Sequence, residues 1–459
     1  MPRPSSYSRP RSFSNYSKSD FDSMNVFLQE YDFTACMLSS DVDEIWSILK
    51  SALSEAVSHF SPSVTSRTRS HPKWFTPETR HKINRLHSLR RRHHRRPTWD
   101  TGERINKQEQ DLLDHISAAK TTYESNLVSN SSPTNTSILS NYIKSITQTH
   151  SLPPVMFLDH LSFSDDVGKA NPFNNYFYSV FSTFTSNNIL SADTSPVDYL
   201  SNISFSAMDV YQALIKLDTS KAMGIDCVSP HILKNCAIAL HIPIHHLFAQ
   251  SLLYGKLPWE WKIHLITPVF KSGDRSSVKN YRPISLLCSL SKVLERLVFD
   301  QMILFLSPSI SISQFGFLKG KSTQQQLLLM VNLISNNLDK NMATDIAYLD
   351  LQKAFDTVPH ELLLNKLQSL GISGLLFTWL SDYLFNRTQV VSVNGALSTS
   401  LDVLSGVPQG SILGPLLFLL FINDLPASVK HSLYFLQTTP SVLFHAIPHL
   451  SATKTFRKT

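Results

Sequence analysis

Residues 348–358 read Tyr-Leu-Asp-Leu-Gln-Lys-Ala-Phe-Asp-Thr-Val and residues 405–416 read Ser-Gly-Val-Pro-Gln-Gly-Ser-Ile-Leu-Gly-Pro-Leu, and these two stretches decide the fold. In the first, Asp350 follows an apolar segment that has the character of a β-strand. A carboxylate that leaves a strand can hold a hard divalent cation. In the second, glycine recurs at every fourth position, which lets the backbone approach a ligand closely.

Three further phrases flank these stretches. They are Asn-Tyr-Arg-Pro-Ile-Ser-Leu-Leu at 280–287, Gln-Phe-Gly-Phe at 314–317 and Phe-Ile-Asn-Asp-Leu at 421–425. Together the five phrases closely resemble the reverse transcriptase of non-LTR (LINE-type) retrotransposons, over about residues 205–430. The resemblance implies an α+β fold with the fingers and palm of a right-hand polymerase. It also implies RNA-directed DNA polymerase (nucleotidyltransferase) activity.

The amino-acid composition is compatible with a reverse transcriptase but does not by itself identify one. The chain has 459 residues, 42% of them hydrophobic, enough for two to four domains. Its formal net charge of +7 favours a polyanionic partner, although an ordinary basic surface is the alternative. The longest apolar run is too short to span a bilayer, and no secretory signal opens the sequence. We therefore expect a nuclear or cytoplasmic protein that is not secreted.

The first third of the chain is expected to be helical or disordered. Residues 1–40 are predicted to be a disordered Ser/Arg-rich tail, and residues 41–150 a helical basic linker region with an amphipathic helix at 41–60. Residues 80–99 form its most basic part. A phosphate-contacting helix and a solvated helix or nuclear-import patch both fit this run. Its cations are Arg80, Lys82, Arg85, Arg90, Arg91, Arg92, Arg95 and Arg96.

From residue 151 the chain is expected to be globular. By resemblance, residues 151–343 are the fingers, residues 344–430 a partial palm and residues 431–459 a divergent tail, with no thumb. A capping-box pair, Ser206 and Asp209, predicts a helix over 207–217. Apolar periodicity predicts further helices from about 230 and at 289–306, 359–370, 377–384 and 415–421, and strands at 265–270, 344–351 and 388–394.

The resemblance implies a set of site residues. Asp350 matches the aspartate that ligates both Mg²⁺ ions of two-metal nucleotidyl transfer. Gln409 and Gly410 match the loop that touches template and nucleotide. Phe355 matches the aromatic residue that lies under the incoming sugar and selects deoxynucleotides, although a core role for its ring stays open. Asp356 is expected instead to have a structural role, as a helix cap or in an ion pair.

Cations are implied for the triphosphate, with ordinary surface charge as the alternative for each. They are Lys271, Arg282, Lys319 and Lys321. Where the family usually has a basic residue after Gln-Phe-Gly-Phe, this chain has Leu318, so Lys319 serves only if the loop shifts register. Arg387 is expected to contact template or primer, or to lie in a charged hairpin turn. The implied partners are an RNA template, a DNA primer and a dNTP, and no membrane.

One departure from the family leaves two functions open. Family members have an aromatic-Ala-Asp-Asp hairpin after the Pro-Gln-Gly loop, but residues 426–459 contain no Asp or Glu. The pair Asp165-Asp166 lies far upstream and is more simply a loop or helix-cap pair. The chain is therefore either an RNA-directed DNA polymerase or, with its second carboxylate pair lost, a catalytically dead nucleic-acid-binding remnant that is inactive alone.

A change of reading frame accounts for the lost pair. If Leu436 to Thr439 were encoded by TTG CAG ACG ACN and the codon of Phe435 ended in T, the frame one base upstream would read Phe-Ala-Asp-Asp. We therefore hypothesise that a frameshift near residues 434–436 replaced the end of the palm.

Overall fold

The computed structural model describes residues 12–65, 72–130, 139–140, 142–143, 152–182, 196, 198–342, 344–348, 351, 353–428, 432–436 and 439–445. The chain divides into two compact units. The smaller comprises Met1–Phe13 and Ser63–Leu152, and the larger comprises Ser14–Pro62 and Pro153–Thr459.

The larger unit begins with three helices, α1 (Phe21–Glu30), α2 (Thr34–Leu38) and α3 (Val42–Phe60). The expectation of a disordered tail through residue 40 is wrong for the described part of it. Met24 and Leu28, one helical turn apart, are fully buried, and α1 packs against α3. The helix predicted at 41–60 is confirmed, and the Asp41 side chain caps it by accepting from the Asp43 N–H.

The smaller unit is built around a helical hairpin. Its short strands β1 (Ser12–Ser14) and β2 (Ser63–Thr65) pair, and α4 (Pro77–Arg95) packs antiparallel to α5 (Trp99–Ser129). Threonine side chains cap both helices, Thr76 on α4 and Thr98 in a capping box on α5. The basic run is therefore helical.

The remaining elements of the larger unit mix helices and strands, so the predicted α+β class is confirmed. Its further helices are α6 (Asp166–Tyr178), α7 (Ala207–Ile215), α8 (Pro230–Asn235), α9 (Ala237–Tyr254), α10 (Ser289–Leu306), α11 (Thr323–Asp339), α12 (His360–Ser369), α13 (Gly374–Leu384), α14 (Leu413–Phe421) and α15 (Leu425–Ser428). The strands are β3 (Met156–Leu158), β4 (Leu161–Phe163), β5 (Ile263–Phe270), β6 (Tyr281–Leu286), β7 (Thr344–Tyr348), β8 (Thr388–Val393), β9 (Ala396–Leu397), β10 (Leu401–Asp402), β11 (Ser432–Leu436) and β12 (Thr439–His445).

Two sheets organise this unit. The larger has the order β10-β8-β5-β6 with β9 added to β8, and β5 runs parallel to β8 but antiparallel to β6. The second has the order β11-β12-β7 and is antiparallel. Helices α1–α3, α7–α10 and α12–α14 contribute to a shared apolar core, in which Trp261 and Trp379 are fully buried.

Local sequence signals set many of the boundaries. Ser206 and Asp209 form the predicted capping box at the start of α7, and the helix predicted at 289–306 is confirmed as α10. The strand predicted at 344–351 is described as β7 and ends at Tyr348. Among the described residues, no helix combines the length and the apolar character that crossing a bilayer requires.

Candidate functional site

A cleft of about 290 Å³ opens in the larger unit. Strands β5 and β6 form one side, residues 403–409 form another, and α6 contributes Tyr176 and Phe177. Lys271 and Arg282, both predicted to meet a triphosphate, line it with exposed side chains. Asp356 is the one carboxylate among the described lining residues. The cleft is therefore suited to an anionic ligand.

The loop that carries Gln409 is held to the segment after β7 by backbone hydrogen bonds. The Val407 N–H donates to the Phe355 carbonyl at 2.7 Å, and the Gly406 N–H donates to the Val358 carbonyl at 2.8 Å. At Gly406, φ is +92° and an added Cβ would lie 2.6 Å from the Phe355 carbonyl oxygen. Only glycine accommodates both the conformation and the contact, so the two motif stretches are joined at this position.

Gly410 meets the opposite wall of the cleft. Its φ is +111°, and a Cβ there would lie 2.6 Å from the carbonyl oxygen of Ser285 in β6. The Ser285 N–H in turn donates to the Gln409 carbonyl at 3.1 Å. The exposed Gly410 thus brings the loop close to β6, whereas the sequence predicted a close approach of the loop backbone to a ligand.

The Gln409 side chain is oriented by Asp356. Its Nε2 donates to Asp356 Oδ1 at 2.6 Å, and because an ionised carboxylate only accepts hydrogen bonds, the amide Oε1 is left to accept from a ligand. Burial raises the pKa of Asp356, and the hydrogen bond from Gln409 opposes that rise. Asp356 has a structural role as predicted, but the hydrogen bond to Gln409 takes the place of the predicted cap or ion pair.

A second buried carboxylate supports the loop from behind. Glu295 in α10 is fully buried, and its Oε2 accepts from the Ile412 N–H at 2.8 Å and the Leu413 N–H at 3.2 Å. The Tyr383 hydroxyl lies 3.3 Å from the same oxygen. Burial raises the pKa of Glu295, and the two N–H groups oppose the rise. Glu295 therefore fixes the start of α14, where the loop ends.

Arg387 is among the residues that line the cleft, but it is buried to 2% exposure. Its guanidinium donates to His264 Nε2 at 2.6 Å and to the carbonyls of Tyr383 and Trp261 at 2.7 and 3.1 Å. Burial and the adjacent guanidinium lower the pKa of His264 well below its usual value, so His264 is neutral and accepts. This arrangement corrects the expectation that Arg387 contacts template or primer or lies in a charged hairpin turn, because its guanidinium donates to His264 and to two protein carbonyls.

Phe355 packs in an aromatic group. Its ring stacks on Phe418 of α14 with centroids 4.8 Å apart and meets the edge of Phe317 at 5.8 Å. Phe355 is partly buried and is not among the described residues that line the cleft. Of the two interpretations left open by the sequence, this geometry favours the core role.

The other expected cations lie elsewhere. Lys319 is exposed, and Lys321 places its ammonium 4.9 Å from the centre of the Phe315 ring. Neither is among the described residues that line the cleft. The cleft does contain Lys353, which the sequence did not single out and whose ammonium lies over Tyr176.

The expected metal ligands are not brought together in the described residues. Asp350 lies outside them, two residues beyond the end of β7. Within the described ranges, no group of three or more His, Cys, Asp or Glu residues could hold a metal ion. Asp165 caps α6 through the Gly168 N–H at 2.7 Å, and Asp166 accepts from Asn394, so the helix-cap interpretation of this pair is confirmed.

The C-terminal hairpin pairs with the strand that precedes Asp350. Strands β11 and β12 are antiparallel, with Leu436 opposite Thr439, and β12 places Ser441 opposite Tyr348 of β7. Residues 437 and 438, between the two strands, lie outside the described residues. The described hairpin thus leads toward the same end of β7 as the first motif stretch.

Sequence reasoning missed several contributors to the cleft. Glu295, which supports the loop from behind, has no local signal, because the Ile412 and Leu413 N–H groups that it accepts from lie more than a hundred residues away in the chain. The aromatic-rich segment that forms α6 was a detectable signal, and through Tyr176 and Phe177 it supplies one wall.

Comparison with known proteins extends the motif evidence. Residues 270–443 match the family described as reverse transcriptase (RNA-dependent DNA polymerase). The probable RNA-directed DNA polymerase from transposon BS of Drosophila melanogaster is 34% identical over 227 residues, which are 48% of this chain and 24% of that protein. The RNA-directed DNA polymerase from mobile element jockey of the same species is 35% identical over 227 residues, with the same coverage of 48% and 24%.

A more distant relative agrees. The retrovirus-related Pol polyprotein from type-1 retrotransposable element R2 of Popillia japonica is 29% identical over 192 residues, 42% of this chain and 26% of that protein. The chain spans about a quarter of the length of the curated relatives it matches.

Proposed function

We propose that residues 270–443 form a reverse transcriptase domain like those of non-LTR retrotransposons, and that its cleft binds a nucleoside triphosphate beside an RNA template and a DNA primer. In this proposal residues 151–343 act as the fingers and residues 344–430 as part of the palm. Residues 431–459 are a divergent tail in the place of the rest of the palm.

One observation carries the proposal. The amide of Gln409 is fixed by Asp356 at the edge of a cleft that Lys271 and Arg282 make cationic. Two cations on adjacent strand ends can meet separate phosphate groups, while an oriented amide acceptor distinguishes a ligand that offers an N–H or O–H from inorganic polyphosphate. A nucleoside triphosphate presents both features.

Catalysis also requires bound metal ions, which the described cleft residues alone do not hold. The family's Mg²⁺ ions supply activation of the primer hydroxyl and neutralisation of the triphosphate, and fixed carboxylates must hold them. Asp350 is proposed as one ligand, but the described residues provide no complete set, and residues 425–459 contain no carboxylate. We therefore propose that this chain alone binds the substrates of a reverse transcriptase without joining them.

Nucleotide binding tests the cleft directly. A fluorescent dATP analogue should bind the full chain, and Lys271→Gln with Arg282→Gln should weaken binding about thirtyfold, at about 1 kcal/mol for each lost charged contact. Lys319→Gln with Lys321→Gln is the matched control, since it removes two exposed cations outside the described cleft lining. Equal weakening by both pairs, or by the control alone, would contradict the cleft assignment.

Primer extension tests the absence of synthesis. With a primed RNA template, dNTPs and Mg²⁺, the chain should give no extended product. Template-directed extension that disappears in Asp350→Ala would instead support the enzyme interpretation and show that the missing carboxylates are supplied from elsewhere in the protein.

A further inference from the structure

The cations on α4 in the helical hairpin of the smaller unit fall into two groups, those paired with acids on α5 and those without an acidic partner in the described ion pairs. On the side of α4 that meets α5, Lys82 Nζ lies 2.8 Å from Asp111 Oδ2, and an Arg90 guanidinium nitrogen lies 2.6 Å from Glu109 Oε1. These carboxylates neutralise the two charges and help to join the helices. Lys82 and Arg90 are therefore structural cations, although the sequence grouped Arg90 with the phosphate contacts.

The outer side of α4 keeps its positive charge. Arg91 and Arg95 are exposed, and no ion pair with an acid is formed by either among the described residues. They lie four residues apart, about 6 Å along the helix axis and on the same face. Arg92 and Arg96 are also exposed and unpaired within the described ion pairs, and they extend this charge toward the end of the helix.

An exposed aromatic residue adjoins this basic end. Trp99, the first residue of α5, is 80% exposed, although indole is among the side chains that gain most from burial. It follows Arg95 by four residues, across the short connection between the helices. Arginines that track a phosphate backbone and a free aromatic face that stacks on a base are the two components of single-strand binding.

We propose that Arg91, Arg95 and Trp99 form a binding surface for single-stranded nucleic acid, separate from the cleft and independent of polymerase activity. The two guanidinium groups contact neighbouring phosphates, and the indole stacks on a base. An anionic membrane is a poorer partner, because none of the strongly exposed large apolar side chains of the described residues belongs to α4.

The salt dependence of binding tests the proposal. Labelled oligo(U) and oligo(dT) should bind the full chain with an affinity that falls with salt. Arg91→Gln with Arg95→Gln should reduce the logarithmic salt slope by about 1.4, at about 0.7 for each phosphate contact on a single strand. If the affinities converge near about 1 M salt, this change means about 25-fold weaker binding at about 0.1 M. Trp99→Ala should weaken binding about fivefold or more and leave the slope unchanged.

A control variant of equal charge change distinguishes loss of specific phosphate contacts from loss of net positive charge. Lys82→Gln with Arg90→Gln removes the same net charge from the paired side and should change the slope by less than half as much. Equal slope changes in both double variants, or none in either, would overturn the proposal, as would anionic vesicles that bind more tightly than oligo(U). Circular dichroism must show unchanged helix content in each variant. Binding of the dATP analogue should be the same in all of them, so failure here is distinguishable from failure of the cleft proposal.

Discussion

Removal of Asp356 should weaken nucleotide binding through Gln409. The carboxylate accepts from Gln409 Nε2 at 2.6 Å in a partly buried site, and hydrogen bonds to charged groups typically contribute about 1.5–3 kcal/mol. In Asp356→Ala the amide is free to rotate, so the ligand must order it on binding. Ordering one such side chain costs about 0.5–1.5 kcal/mol, which corresponds to roughly fivefold weaker binding at the middle of that range.

A double-mutant cycle isolates this effect from the change in charge. Gln409→Ala should weaken binding of the dATP analogue by a similar factor, and the double variant should bind no more weakly than Gln409→Ala alone. The coupling energy is then about 1 kcal/mol. Asp356→Asn is the control, because the Asn side chain keeps an acceptor for Nε2 but removes the negative charge from a cationic cleft. It should bind the analogue at least as tightly as the unaltered chain.

Additive losses would refute the reasoning. If the coupling energy is below about 0.3 kcal/mol while both single variants weaken binding, Asp356 does not act through Gln409. If Asp356→Asn binds as weakly as Asp356→Ala, the charge is required and orientation of the amide is not the reason. Thermal denaturation of each variant must be monitored, since Ser405 Oγ also donates to the Asp356 carbonyl and holds the same loop.

Three further outcomes follow from the site. Glu295→Ala should destabilise the protein by about 3–5 kcal/mol, since two buried N–H groups lose their acceptor, whereas Glu295→Gln keeps one and should lower the melting temperature less. Burial raises the folded-state pKa of Asp356 above its unfolded value, so the free energy of unfolding should fall as pH rises from about 4 through the folded pKa. The melting temperature measured against pH should show this fall, and Asp356→Asn should lack the part that comes from Asp356. A version with Phe-Ala-Asp-Asp at residues 436–439 and a family thumb should regain primer extension. Because the Phe355 ring stacks on Phe418, Phe355→Ala in that version should leave sugar selectivity unchanged; readier use of rNTPs would instead support a contact with the incoming sugar.

Local signals predicted the elements that frame the cleft. Ser206 and Asp209 form the predicted capping box, and apolar periodicity placed α10 correctly, because both signals depend on neighbours within a few residues. The glycine pattern correctly indicated positions of close approach, but the neighbour of Gly406 and Gly410 is protein backbone rather than the expected ligand.

Contacts between residues far apart in the sequence explain the features that could not be predicted from it. The polar neighbours of Arg387 indicate a template contact or a charged turn, but its acceptors His264 and Trp261 lie more than 120 residues earlier in the chain. The hydrogen bond between Asp356 and Gln409 joins residues that are 53 positions apart, and no local sequence pattern in either stretch predicts it. Burial of Met24 and Leu28 likewise depends on α3 rather than on the Ser-rich sequence before them.

The C-terminal hairpin separates the requirements of fold from those of chemistry. Pairing of β12 with β7 is made by backbone hydrogen bonds, and it needs no carboxylate. The register pairs Ser441 with Tyr348, the last residue of β7, so the start of β12 lies at the carboxyl end of β7. A frame change that removed two aspartates could therefore leave the hairpin paired. Codons for Leu436 to Thr439 that cannot be read as Phe-Ala-Asp-Asp one base upstream would exclude this origin for the hairpin.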